Sequence, residues 1–282
     1  MVDNDSKRGK KNNPVLFLGL LLVGVLFILP FVWMTVVSFE RYANIQPPFP
    51  PSFVIKNPSL FNFKIITENG NLTQAYKNSL VVAVGSVLVN VISVLMGGYA
   101  LSKGRFKGKK IIMIIILATM MVPFETRMIP MYKMFAKIGL TNNFIPLIIP
   151  NIIDALGVML AKNYFDSLPN SLGEAAEMDG AGPFRTFFQI YLPLTLPITA
   201  TIIILKFMDS WNAFLWPLVI LTGRDTRTVP IFISAFSSEG GTRMAGSTMT
   251  LAFLGIIPVV LVFLVLQKYI IRSIALSGVK GE

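Results

Sequence analysis

The chain has 282 residues, 54% of them hydrophobic and 14% charged, where soluble domains carry about a quarter charged residues, and its mean hydropathy is +0.67. The net charge of +11 sits in short Lys/Arg segments that flank apolar runs, a layout that fits a polytopic membrane protein and argues against nucleic-acid binding. No Cys and no His are present, which excludes disulfides, thiolate chemistry, zinc sites built on Cys or His and haem ligation by either, and removes the commonest general base.

Six apolar runs follow one another at about 14–38, 79–102, 111–134, 142–164, 193–221 and 247–271, each long enough to cross a hydrocarbon core of about 30 Å as a helix. The expected fold is an all-α membrane protein with six transmembrane helices between a short N-terminal tail (1–13) and a C-terminal tail (273–282). The start of the chain (Lys7, Arg8, Lys10, Lys11, then apolar residues) superficially resembles a signal peptide. The run that follows is too long for one and closes on no small-residue cleavage site, so it reads as a retained span.

An even number of spans puts both termini on one side. The basic N-terminal tail and the tight loop bearing Lys103, Arg105, Lys107, Lys109 and Lys110 place both termini in the cytoplasm of a cell membrane. Segment 165–192 is then cytoplasmic, and segments 39–78, 135–141 and 222–246 lie outside. The 39–78 loop contains Gln46-Pro47-Pro48-Phe49-Pro50-Pro51, which stiffens an extended path. The 222–246 loop, with Gly240-Gly241 and Arg224, Asp225, Arg227 and Arg243, reads equally well as a contact for an extracytoplasmic partner or as a solvated connector. Pro123 and Pro130 predict a kink or break near the outer end of the third span.

The most informative stretch lies between the fourth and fifth spans. Ser171-Leu172-Gly173-Glu174 fits a capping box. Glu174 and Glu177 suit the positive end of a helix dipole, and Ala175, Ala176 and Met178 give a tight surface. Gly180, after Asp179 and before Ala181, sits where a left-handed turn closes a helix. Pro183 then suits the first turn of another helix. On physics alone this segment is either a docking element for something in the water or an amphipathic interfacial helix.

Glu174-Ala175-Ala176, Gly180 and Ile190-Tyr191-Leu192-Pro193 resemble, in type and spacing, the EAA motif of binding-protein-dependent ABC importers. Ser210-Trp211-Asn212-Ala213-Phe214-Leu215-Trp216-Pro217-Leu218 and the terminal Gly278-Val279-Lys280-Gly281 are similar to the maltose-type carbohydrate permeases. Span count and length agree, so the resemblance covers nearly the whole chain; Ala213 departs from the acidic residue common there, which keeps the substrate from being carried over. The resemblance implies a type I ABC importer permease fold with a coupling helix at about 171–181 docking on a cytoplasmic ATPase dimer. It implies a C-terminal tail touching that dimer, a second permease subunit and an extracytoplasmic sugar-binding protein. ATP and Mg belong to the partner: Gly108-Lys109 lacks the leading Gly and following hydroxyl of a phosphate-binding loop, so this chain is expected to bind no cofactor and to be no enzyme.

Asn90, Asp154 and Lys206 each fall, counted along an uninterrupted helix, about 17–20 Å into a span and so near the bilayer midplane. A lone charge there is costly, which predicts that Lys206 and Asp154 lie together beside Asn90 and Asn151, either facing a translocation path or packing at an assembly contact. Asp209, one turn beyond Lys206, competes as its partner. Trp211, Asn212 and Trp216 lie toward the outer end, where the tryptophans read as an aromatic belt or as sugar-stacking surfaces. The alternatives are an ABC permease for another solute such as glycerol phosphate, and a secondary transporter using Asp154 and Lys206. A membrane enzyme is disfavoured because no acidic pair with a base faces one site.

Overall fold

The computed structural model describes residues 14–46, 50–69, 71–239 and 244–278, with residues 69, 239 and 270–278 described through their backbone. Its helices in chain order are α1 (Pro14–Phe39), α2 (Phe61–Asn69), α3 (Leu72–Lys103), α4 (Lys109–Met120), α5 (Phe124–Lys137), α6 (Ile145–Ile148), α7 (Ala155–Ser167), α8 (Ser171–Met178), α9 (Pro183–Thr186), α10 (Leu192–Leu194), α11 (Leu196–Asn212), α12 (Leu215–Ile220), α13 (Val229–Glu239) and α14 (Ala245–Gly278). A 3-10 turn (Ile149–Ile152) follows α6, and a π turn (Phe187–Tyr191) joins α9 to α10. By length and composition four helices are fit to cross a membrane, and two bent pairs raise this to as many as six.

Proline sets the bends. Pro lacks an N–H and drives the residue before it out of helical backbone. The chain turns by 97° between α4 and α5, where Pro123 is extended with ψ 143°. It turns by 80° between the Pro183–Leu194 run and α11, just before Pro197. Three expectations need correcting. The second span starts at Leu72, not near 79, because Asn71 caps it: its side chain accepts the Gln74 N–H at 3.2 Å. The fourth span is not one helix, since Pro150 sits in the 3-10 turn and Ile153–Asp154 are extended before α7. Depth counted at a uniform rise per residue therefore fails for Asp154. The 222–246 segment is no plain connector, because it contains α13 with Val229 and Ile231 buried; Gly240, Gly241 and Arg243 lie outside the described residues.

The chain divides into two compact units, Met1–Gly70 with Phe236–Leu254, and Asn71–Ala235 with Gly255–Glu282. In the first, the Asn62 side chain is fully buried and donates to the carbonyls of Val37, Ser38 and Glu40 at 3.4, 3.0 and 2.9 Å, satisfying the open end of α1. Asn62 Oδ1 accepts from Asn44 Nδ2 at 2.9 Å, and Asn44 Oδ1 accepts the Ser247 N–H at 2.9 Å. Glu40 accepts the N–H groups of Lys56 and Asn57 at 2.9 and 3.1 Å. Burial pushes its carboxyl upward, but the donated bonds from Asn57 and Lys56 outweigh that and hold it below the ordinary value. A carboxyl lowered in the folded state stabilises above its unfolded pKa and loses that contribution as pH falls through the folded value. Hydrogen-exchange protection at Lys56 and Asn57 is therefore expected at neutral pH, persisting below the usual Glu range and absent in Glu40→Leu, which removes the acceptor; equal protection in that variant would contradict it.

In the second unit α3 packs along α7 at close range. A Cβ on Gly98 would stand 2.6 Å from the Ala161 Cβ and 2.8 Å from the Lys162 backbone nitrogen, the small-residue contact that lets membrane helices approach. Below it, Phe165, Phe187 and Tyr191 are buried with Leu101. Gly98→Val is expected to destabilise by about 3 kcal/mol through overpacking against backbone that cannot yield. Thermal unfolding in detergent reads this, and an unchanged midpoint would contradict it.

Candidate functional site

The α7–α8 corner is built from residues far apart in sequence. Lys103, the last residue of α3, donates from Nζ to the Leu168 carbonyl and to Asn170 Oδ1, both at 2.7 Å, and stands 5.7 Å from the Tyr191 ring centre. The capping box expected at Ser171 and Glu174 is not formed: α8 begins at Ser171 with Asn170 in the N-cap position, and no side-chain cap bond is made. The reason is geometric. Asn170 already has helical backbone (φ −71°, ψ −26°), so Ser171 falls inside the helix, and the Asn170 side chain turns to Lys103.

The far end of α8 closes as the residue pattern predicts. Gly180 adopts φ +75°, a conformation cheap only without a Cβ. Its N–H bonds the Glu177 carbonyl at 3.0 Å, and the Ala181 N–H bonds the Ala176 carbonyl at 2.9 Å; together these form a Schellman motif with Asp179 as C-cap. Of the segment's residues, Ala176 is buried while Ser171, Glu174, Ala175, Glu177, Asp179 and Gly180 are exposed. Ala176 thus seats α8 on the body of the unit, and the outward surface is formed by its neighbours. Met178 on α8 is 88% exposed, and Phe184 on α9 is 69% exposed, both apolar side chains left uncovered.

A second polar group lies where α3, the extended Asn151–Asp154 stretch and α11 meet. Asn90 donates to the Asn151 carbonyl at 2.9 Å and to Asp154 Oδ2 at 3.0 Å. Asp154 also caps α7, its Oδ1 accepting the Gly157 N–H at 3.0 Å. Lys206 Nζ lies 2.9 Å from Asp209 Oδ2, 3.1 Å from Asn151 Oδ1 and 3.9 Å from Asp154 Oδ2. The structure therefore brings Asn90, Asn151, Asp154, Lys206 and Asp209 together, with Asp209 the nearer carboxylate.

Lys206, Asp209, Asn151 and Asn212 line a cavity of about 750 Å³ that also holds Glu125 and Arg127. A smaller cavity of about 310 Å³ holds Asp154, Lys206 and Asp209. Asn90 is fully buried and braces the group from behind. Trp211 does not face the larger cavity: it is buried, stacked 5.6 Å from Phe207, with its indole N–H on the Gly255 carbonyl at 2.9 Å. Trp216, by contrast, lines the larger cavity while its indole N–H donates to the Pro146 carbonyl at 2.9 Å. Both indoles hold helices together, since their N–H groups are already satisfied within the protein.

Over residues 89–276 the chain matches the family described as binding-protein-dependent transport system inner membrane component. The chain belongs to this family. It is 31% identical to the arabinooligosaccharides transport system permease protein AraQ of Halalkalibacterium halodurans, covering 96% of this chain and 99% of that one. It is 33% identical to the trehalose/maltose transport system permease protein MalG of Thermococcus litoralis, covering 95% and 97%. In structure it resembles a chain of a bacterial ABC transporter involved in import of the acidic polysaccharide alginate, with TM-score 0.79 and 25% identity over 93% of this chain and 98% of that chain. This member of the inner-membrane-component family is therefore a multi-pass, all-helical membrane subunit of a binding-protein-dependent ABC transporter, a permease and not a catalytic component.

Sequence patterning read Lys103 only as a topology charge and Tyr191 only as part of the motif, and missed Asn170 at the α8 corner and Glu125 and Arg127 in the cavity wall. Lys103 carries one visible signal: it is the only charged residue after Lys77 in α3. Gly278 is the last residue of α14; Val279, Lys280 and Gly281, the rest of the predicted C-terminal contact, lie outside the described residues, as does the 1–13 tail.

Proposed function

We propose that this permease forms one half of the membrane pathway of an ATP-driven importer for sugars or oligosaccharides. The pathway is completed by a second permease subunit and supplied by an extracytoplasmic sugar-binding protein. The chain comprises a six-span transmembrane domain over 14–272, counting each bent pair as one span, between cytoplasmic tails at 1–13 and 273–282. Its 165–192 loop presents α8 to an ABC ATPase dimer, which holds ATP and Mg; this chain binds no cofactor. ATP-driven closure of the ATPase dimer pulls on α8 and switches the spans between inward-open and outward-open states. The C-terminal residues 278–281 add a contact to the same dimer. The observation that carries the reading is α8: a short helix locked at its end by Gly180, with Ala176 turned inward and Glu174, Ala175, Glu177 and Met178 turned out.

The sugar assignment rests on the relatives and is supported by the cavity chemistry. Asn151, Ser210 and Asn212 suit hydroxyl groups, and Lys206 is occupied by Asp209, Asn151 and Asp154; Arg127 in the same wall is the cation that an anion such as glycerol phosphate would use. Uptake into vesicles carrying the assembled complex tests it, using labelled maltose, an arabinose trisaccharide and glycerol phosphate. ATP-dependent uptake of a sugar without an ion gradient is expected. Uptake driven by a proton or sodium gradient in the absence of ATP would overturn it in favour of a secondary transporter.

A further inference from the structure

α3 and α7 form a paired strut with a polar clasp at each end. At one end Asn90 of α3 holds Asp154, the N-cap of α7, at 3.0 Å. At the other, Lys103 of α3 holds the Leu168 carbonyl just past the end of α7 and the Asn170 side chain at the start of α8. Ser102 adds a bond to Asp166 at 2.6 Å. Between the clasps, Gly98 leaves no slack against Ala161 and Lys162. From Asn90 to Lys103 the axis runs about 20 Å.

α8 has a second seat on the same unit. A Cβ on Gly173 would come within 3.0 Å of the Tyr191 hydroxyl, and the Tyr191 ring is the one beneath Lys103. A displacement of α8 therefore meets both Lys103 and Tyr191, which stand together on the packed body of the helices.

We infer that Lys103 is the positioning residue through which α8 and the α3–α7 strut move as one piece. Its ammonium joins three parts: the end of α3, the carbonyl closing α7, and the residue opening α8. Without it the Leu168–Asn170 corner loses its hydrogen bonds to α3, and α8 is held to the strut only by the packing of Leu168, Leu172 and Ala176, which lets it shift more easily while the strut stays still. The inference rests on the proposed docking of α8 to the ATPase and adds the route by which that motion reaches the Asp154–Lys206 group.

The Cys-free sequence allows a test that needs no knowledge of the substrate. Met178→Cys supplies a thiol to crosslink the ATPase subunit. Ala213→Cys supplies another in the wall of the larger cavity, where its reaction with a membrane-impermeant maleimide is timed with and without ATP in the assembled complex. With Lys103 present, ATP is expected to change the labelling rate at position 213 by about fivefold or more, the lower end of ordinary site-to-site coupling. In Lys103→Met the ATP effect at position 213 is expected to vanish while the crosslink from position 178 persists, and Lys103→Arg is expected to restore part of it. Asn170→Ala, which removes one acceptor at an exposed site, and Gly173→Ala are expected to reduce the ATP effect, and they decide the matter if Lys103→Met fails to assemble. An undiminished ATP effect in Lys103→Met, or in both other variants, overturns the inference. Loss of the crosslink from position 178 in a complex that keeps Lys103 would instead defeat the docking of α8 itself.

Discussion

Lys206→Met is expected to abolish transport and to cost up to about 3 kcal/mol of stability, the lower end of the scale for breaking a buried ion pair. The side chain of Lys206 is 12% exposed and that of Asp154 22%, so the cost falls on Asp154; Asp209, the nearer carboxylate, is 68% exposed and screened by solvent. Removing the cation leaves Asp154 and Asp209 facing the same space with only amide groups between them. Asp154 separates the charge from the fold. Asp154→Asn keeps a competent N-cap for α7, since Asn caps as well as Asp, whereas Asp154→Ala forfeits about 1 kcal/mol more. Asp154→Asn is thus expected to assemble nearly normally yet transport poorly, while Asp154→Ala loses both. Combining Lys206→Met with Asp154→Asn should recover part of the lost stability, because it restores charge balance next to Asn151. Thermal unfolding and uptake measured in parallel distinguish these outcomes. If single Lys206→Ala and Asp154→Ala variants assemble and transport at the level of the unaltered protein, the polar group has no such role.

Gly180→Val is expected to reduce transport at least tenfold while leaving membrane insertion intact. Gly180 stands at φ +75°, where a β-branched residue is a steric outlier, and strain of this kind is worth about 1–3 kcal/mol. The bonds from Gly180 to Glu177 and from Ala181 to Ala176 depend on that backbone conformation, so the end of α8 unwinds and Ala176 leaves its seat. Asn at the same position tolerates the left-handed conformation, and Gly180→Asn is expected to retain much of the function. Uptake and co-purification of the ATPase are the readouts. Equal transport by the Val and Asn variants would show that backbone geometry at Gly180 is not what matters.

The parts of this architecture legible in the sequence are those set by local chemistry or by the cost of burying charge. Gly180 is readable because few residues besides glycine close a helix that way. Asp154 and Lys206 are conspicuous because ionised groups are rare in apolar runs, and the need for a partner points each to the other. What escapes is set by distant partners. Ser171 looks like a cap, yet the Asn170 carboxamide is claimed by Lys103, some 67 residues earlier, and no local pattern records that. The tryptophans invite one shared sugar-facing reading, but Trp211 is buried against Phe207 with its N–H on Gly255, and only Trp216 lines the larger cavity. Apolar periodicity places the spans without showing that Pro150 and the extended Ile153–Asp154 interrupt the fourth.

The most direct test of the central claim is a crosslink from a single cysteine replacing Met178, 88% exposed on α8, to the ATPase subunit in membranes holding the whole complex. The account predicts a crosslink whose yield changes when ATP is added. No crosslink in a complex shown to be assembled would contradict it and leave α8 as an interfacial helix.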